Sequence, residues 1–257
     1  MLFSWLKKRR RRKLLTEPFP PAWLDILHSN VAHYRSLTEA EQAKLRDDLR
    51  IFIAEREWEG CGGLEMTDEI KVTIAAQACL LVLGLNLDMF RHVRTILVYP
   101  TAFKVAPEVG ILETPGLKAE RALLGEANYR GPILLAWDKV LAGGRRLGHD
   151  NLVFHEFAHQ LDMLDGYADG VPPLKDRKQA RRWGRITSAE FEHLRQESDS
   201  GMATFLDAYG AIDEGEFFAV TTEYFFNSPV PLRERHPKLY DLFREFYQQD
   251  PAARGLN

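Results

Sequence analysis

Apolar residues recur at helical spacing through most of this chain and give way to short unbroken apolar runs in its middle third. Residues 23–34 and 38–58 read as helices, the second opening on Thr38 and Glu41 at capping-box spacing and ending before Gly60. Thr67 caps a third helix running to Leu85. Its apolar run is interrupted by Lys71, Thr73 and Gln77 and stops near Gly84 and Asn86, so it reads as a buried core helix rather than a membrane span. Residues 95–99, 122–127 and 133–137 are short apolar runs bounded by Gly and Pro, the pattern of strands. The expected fold is α+β, mostly helical with a small mixed β-sheet. Residues 133–137 are the candidate edge strand along which an extended peptide pairs, the alternative being an interior strand.

The next helix carries chemistry. His155-Glu156-Phe157-Ala158-His159 lies in an apolar stretch with Leu152, Val153 and Phe154 before it and Leu161, Met163 and Leu164 after it, with Asp150 as its expected N-cap and Gly166 as its stop. Residues four apart leave the same face of a helix, so both imidazoles reach one ion. Glu156 beside them is placed to take a proton from a metal-activated water, which makes the pattern a zinc hydrolase signature.

Catalytic zinc needs a third protein ligand. In the longer pattern that ends in a third His, a Gly turns the chain sharply; here that position is Asp162 and the third-ligand position is Asp165. Without the Gly the helix continues through Asp162 and carries Asp165 away from His159. The other source is a second helix over residues 213–226, where Glu216 and Glu223 are seven apart and share a face. Each has an ordinary alternative role: Glu216 as the partner of Asp213 in a capping box, Glu223 as an ion-pair partner of Arg233 or Arg235. Spacing leaves both open.

These segments resemble the Mlc titration factor A (MtfA) family of bacterial zinc peptidases. The resemblance lies in residues 155–162, Asp207-Ala208-Tyr209, Glu216-Phe217-Phe218-Ala219-Val220 and Glu223-Tyr224-Phe225-Phe226. It extends to Val98-Tyr99-Pro100 with Phe103, to residues 131–137, to Gly170-Val171-Pro172 and to residues 246–251. It implies a zincin-like (gluzincin) core similar to that of the anthrax lethal factor protease, in which a Tyr stands seven residues before the ligand Glu. Tyr209 stands seven before Glu216. The resemblance therefore assigns His155, His159 and Glu216 to one zinc ion per chain, Glu156 as general base and Tyr209 as transition-state stabiliser; Gly210, Ala211 and Gly215 nearby place Tyr209 on an expected loop. It further implies aminopeptidase-type action on short peptides or, alternatively, a regulatory protein that sequesters a transcriptional repressor of the Mlc type controlling sugar phosphotransferase genes.

Composition changes this picture little. A chain of 257 residues, 45% hydrophobic and 28% charged, can bury one sizeable core, expected over residues 22–257. A net charge of −3 gives the core no nucleic-acid footprint. Cys61 and Cys79 have no metal-binding spacing and suggest no disulfide framework, so a reducing cytoplasm is the simplest compartment. The exception is residues 1–21. Seven consecutive cations, Lys7 to Lys13, follow Phe3 and Trp5, and setting them aside leaves −10 on the rest of the chain. This stretch is expected as a mobile solvated tail, with contact to an anionic membrane or nucleic acid as the alternative. The Lys- and Arg-rich residues 170–185 read as a solvated loop and helix start.

Overall fold

The computed structural model describes residues 2–101, 131–148 and 150–255. The strand expected at 122–127 lies outside them, as does Phe103. Within them, punctuation in the sequence sets the early helices. Pro21 opens α2 (Pro21–Asn30) with the fixed φ that suits a first helical position. Thr38 and Glu41 bond reciprocally at the head of α3 (Glu39–Ala54), and Thr67 caps α4 (Asp68–Leu81). Nearly all of α4 is buried, as expected of a core helix. Among the described residues no helix is long and apolar enough to cross a membrane.

The second expected helix is shorter than its pattern suggests. α3 stops at Ala54, and Glu57–Gly60 forms strand β1, alternating between exposed and half-buried positions. Arg56 fixes the break: its guanidinium donates to the carbonyls of Phe52 (3.1 Å) and Phe90 (2.8 Å) and lies over the Phe52 ring. β1 pairs with β2 (Thr95–Tyr99) and β2 with β3 (Ile133–Ala136), both in parallel. The described sheet is therefore parallel, where the sequence pattern predicts a mixed one. Parallel neighbours need a crossover, and α4 lies on the one between β1 and β2. Ile96, Val98, Ile133 and Leu135 point into the core. β3 is hydrogen-bonded on one side only among the described strands. Trp137, expected to end that strand, opens α5 (Trp137–Arg145) instead.

Two helices meet at the centre. α6 (Leu152–Asp162) and α8 (Glu214–Asn227) are buried around almost their whole circumference, the signature of helices enclosed by others. Behind α8, Phe225 and Phe226 pack on Tyr247 of α10 (Pro237–Tyr247), with ring centroids 5.6 and 5.1 Å apart. Trp183 of α7 (Arg177–Asp199) stacks on Phe243 at 5.3 Å. α9 (Pro229–Arg235) joins α8 to α10. Aromatic rings bury large areas with few rotatable bonds, so this wall holds α8 in a fixed orientation against α6.

The basic stretch that reads in the sequence as a mobile tail is helical in the structure, α1 (Leu2–Thr16). Arg11 donates to both carboxylate oxygens of Glu55 (2.6 and 2.7 Å) and to Asp88 (2.7 Å), and Lys7 reaches Asp88 at 3.0 Å. Arg50 donates to the carbonyls of Leu14 and Glu17, and Leu14 and Leu15 pack against the core.

Candidate metal centre

The start of α6 is set by Asn151 rather than by Asp150. Its Oδ1 accepts from the Phe154 amide (2.9 Å) while its Nδ2 donates to Gln77 (2.9 Å) and to the Gly143 carbonyl (3.1 Å). The site is buried, and capping it while satisfying two acceptors needs a side chain with both an acceptor and donors; Asn has them and ionised Asp does not. Asp150 is exposed.

His155, His159 and Glu216 come together. The Nε2 atoms of the two imidazoles are 3.2 Å apart, and Glu216 Oε2 lies 3.0 Å from the first and 3.5 Å from the second. Glu216 is 7% exposed, and its Oε2 has no hydrogen-bond partner. Burial alone would raise this carboxyl, but His155 and His159, where their facing nitrogens carry a proton, outweigh it and hold it well below the usual carboxylate range. The capping-box alternative is only half realised. Asp213 accepts from the Glu216 amide (2.8 Å), whereas the Glu216 carboxylate turns inward to the two His.

Glu223, the other candidate on α8, stands on the far side of His155 from Glu216. Its Oε1 is 2.7 Å from Nδ1 of His155, and its Oε2 accepts from the Asn151 amide at 2.5 Å. It is paired with neither Arg233 nor Arg235. A carboxylate accepts, so Nδ1 of His155 donates, and in the neutral ring Nε2 keeps its lone pair. That lone pair points at an unpartnered carboxylate oxygen beside a second imidazole, an arrangement of converging acceptors that a small cation satisfies.

Tyr209 lies in a single 3-10 turn, Ala208–Ala211, capped by Asp207 and packed against α7 and α8. Its hydroxyl donates to Glu216 Oε1 at 3.1 Å, and its ring centroid is 5.9 Å from that of His155. Glu156 is 9% exposed, and no described residue hydrogen-bonds its carboxylate. Asp165 is exposed and accepts from the Tyr167 amide in the turn that Gly166 (φ 99°) closes, so it stands apart from the cluster.

Asp162, which stands where the longer motif has its turn glycine, is fully buried at the end of α6. Neither of its oxygens completes a hydrogen bond, although the amides of Gly170 and Val171 lie close enough to favour its charge. Burial pushes its carboxyl up to about 6 against the pull of those amides and of His159. It sits under the head of α8, where a Cβ on Gly215 would stand 3.3 Å from its Oδ2. Gly170 itself has φ +72°, and a Cβ there would lie 2.4 Å from the Glu214 carbonyl, so the turn approaches α8 as only glycine allows.

Residues 5–248 match the family described as glucose-regulated metallo-peptidase M90. Among individual relatives, the chain is 37% identical over 249 residues to an uncharacterized protein of Synechocystis sp., covering 94% of this chain and 89% of the relative. It is 33% identical over 244 residues to the Mlc titration factor A of Escherichia fergusonii (92% and 89%) and 37% identical over 199 residues to that of Serratia proteamaculans (75% and 74%).

Proposed function

We propose that this chain, which belongs to the glucose-regulated metallopeptidase M90 family, is a zinc-dependent peptidase with a gluzincin-type centre, acting as an aminopeptidase on short peptides. The reading is carried by Glu216 Oε2, buried and without a hydrogen-bond partner, facing Nε2 of both His155 and His159. Ligand atoms at ~2.0–2.1 Å from a tetrahedral zinc stand about 3.3 Å apart. The separations here, 3.0, 3.2 and 3.5 Å, bracket that value. Two imidazoles and one carboxylate, with a fourth position left for water, form a catalytic rather than a structural donor set. The aminopeptidase preference rests on the resemblance of the motifs, and a cytoplasmic location on the two free cysteines.

Zinc, when bound, supplies Lewis acidity and lowers the pKa of water toward neutrality. The chain's residues move the protons. Glu156 accepts a proton at its carboxylate as water adds to the peptide carbonyl carbon, then delivers it to the departing amine nitrogen. The Tyr209 hydroxyl, donating to Glu216 in this structure, turns its proton to the carbonyl oxygen as negative charge builds there. Glu223 fixes the ring of His155 through Nδ1. β3, open on one side among the described strands, offers backbone groups to an extended peptide.

The name Mlc titration factor A, carried by two of these relatives, supports a second reading in which the chain binds a repressor of the Mlc type. Glu156 and Tyr209 favour catalysis, because sequestration requires neither. Zinc content and hydrolysis of aminoacyl and short-peptide chromogenic substrates, measured for wild type and Glu156→Gln together, test the proposal. Retained zinc with activity lost in the variant supports it. Zinc binding without cleavage by wild type moves weight to the repressor, and absence of zinc overturns the metal assignment.

A further inference from the structure

The two faces of α1 are chemically different. Lys7, Arg11, Leu14 and Leu15 point inward, where Glu55, Asp88 and the core hold them. Arg9 and Arg12 are exposed on the outer side and Lys8, Arg10 and Lys13 along the flanks, Arg10 and Lys13 beside a groove that α1 forms with α3; none makes an ion pair with any described residue. Between them stand two large apolar side chains, Trp5 (52% exposed) and Leu6 (48% exposed), with the Arg9 guanidinium 5.5 Å above the Trp5 ring. At 100° per residue Trp5, Arg9 and Arg12 fall on one stripe, with Lys8 and Lys13 flanking it.

We infer that this outer face docks the protein on an anionic phospholipid bilayer. Charge complementarity sets the partner class, because exposed cations along the outer side and flanks of one helix, unpaired among the described residues, are matched by a dense array of negative groups. The exposed apolar pair selects the bilayer. Against a nucleic acid the cations would be matched but Leu6 would gain nothing. At a headgroup layer the phosphates meet the cations, while the indole and the leucine settle at the boundary of the acyl chains, where amphipathic aromatic rings are favoured. The inner-face contacts keep α1 on the body of the protein, so docking needs no unfolding. With no spanning helix among the described residues and one short patch to hold it, attachment is reversible and salt-sensitive.

The test is flotation of the full chain with vesicles of phosphatidylcholine alone and of phosphatidylcholine mixed with phosphatidylglycerol, at low and high salt. Binding is expected only to the mixed vesicles, and is lost at high salt. The triple variant Lys8→Gln, Arg9→Gln, Arg12→Gln, which spares Lys7 and Arg11, is expected to bind about a hundredfold more weakly with an unchanged circular dichroism spectrum. Trp5→Ala is expected to weaken vesicle binding with every cation still present. The inference is overturned if the chain ignores the mixed vesicles or binds neutral ones equally well. It also fails if the chain holds a DNA duplex or single strand at least as tightly at the same salt.

Discussion

Glu223 lies 2.7 Å from Nδ1 of His155 while Glu216 faces Nε2 of the same ring, so one imidazole is held between two carboxylates from one helix. The seven-residue spacing that makes Glu216 and Glu223 equivalent in sequence makes them opposite in role, because each meets a different nitrogen. Glu223→Gln keeps an acceptor for the Asn151 amide but loses the charge behind His155. Its zinc affinity is expected to fall about 10- to 100-fold, read by competition with a chelator. Unchanged affinity would mean that Glu223 serves the Asn151 amide alone.

Tyr209→Phe removes one donor and leaves the side chains of the proposed ligands His155, His159 and Glu216 in place. Zinc content is expected to stay at the wild-type level while kcat falls about 100-fold or more with little change in KM. Zinc loss in proportion to lost activity would instead show that the hydroxyl acts by steadying Glu216, to which it donates.

Asp162 makes stability depend on pH. Its carboxyl is raised to about 6, against about 3.9 in the unfolded chain, so between these values the folded state keeps a proton that the unfolded state releases. The stability it contributes is complete below pH ~4 and is lost as pH rises to about 6. Asp162→Asn, which resembles the protonated form, is expected to raise stability above pH 6 by up to about 3 kcal/mol in denaturant titrations with a chelator present.

His33 acts with the opposite sign. It is buried at 3% exposure beneath Phe154, with Nε2 2.8 Å from Asn227 Oδ1. Burial lowers it to about 4, against the pull of that hydrogen bond. Its folded pKa is depressed, so the stability it contributes is present above about 6.5 and is lost as pH falls toward 4. His33→Gln is expected to remove this loss, worth about 3 kcal/mol across the window. The two slopes oppose each other between pH 4 and 6. Acid sensitivity should therefore steepen in Asp162→Asn and weaken in His33→Gln, and identical profiles for the two variants would refute both assignments.

Zinc added to the chelator-treated protein is expected to raise the melting temperature in wild type and in Glu156→Gln, because a ligand that binds only the folded state stabilises it by mass action. Glu216→Ala is expected to show no such rise, and an equal rise there would place the ion elsewhere.

Features whose signal lies within a few residues are legible in the sequence alone. The Thr38–Glu41 capping box, the Thr67 cap, the Gly166 stop and the convergence of His155 with His159 each follow from geometry one or two helical turns long. Distance along the chain hides the rest. β1 reads as the end of α3, because Glu57 and Trp58 continue a helical pattern until Arg56 finds the Phe90 carbonyl 34 residues away. The helical placement of the basic run depends on Glu55 and Asp88, 44 and 77 residues from Arg11.

By itself, then, the sequence determined the α+β class, the boundaries of several helices and the placing of two imidazoles and a neighbouring carboxylate on one helix, since these depend on local backbone geometry and hydrophobic period. Tertiary structure decided which face of His155 each of Glu216 and Glu223 meets, that Asn151 rather than Asp150 caps the helix, and that Asp162 is buried. Those outcomes depend on how α6 and α8 are rotated against each other. The aromatic packing behind α8 sets that rotation, and no period in either helix encodes it.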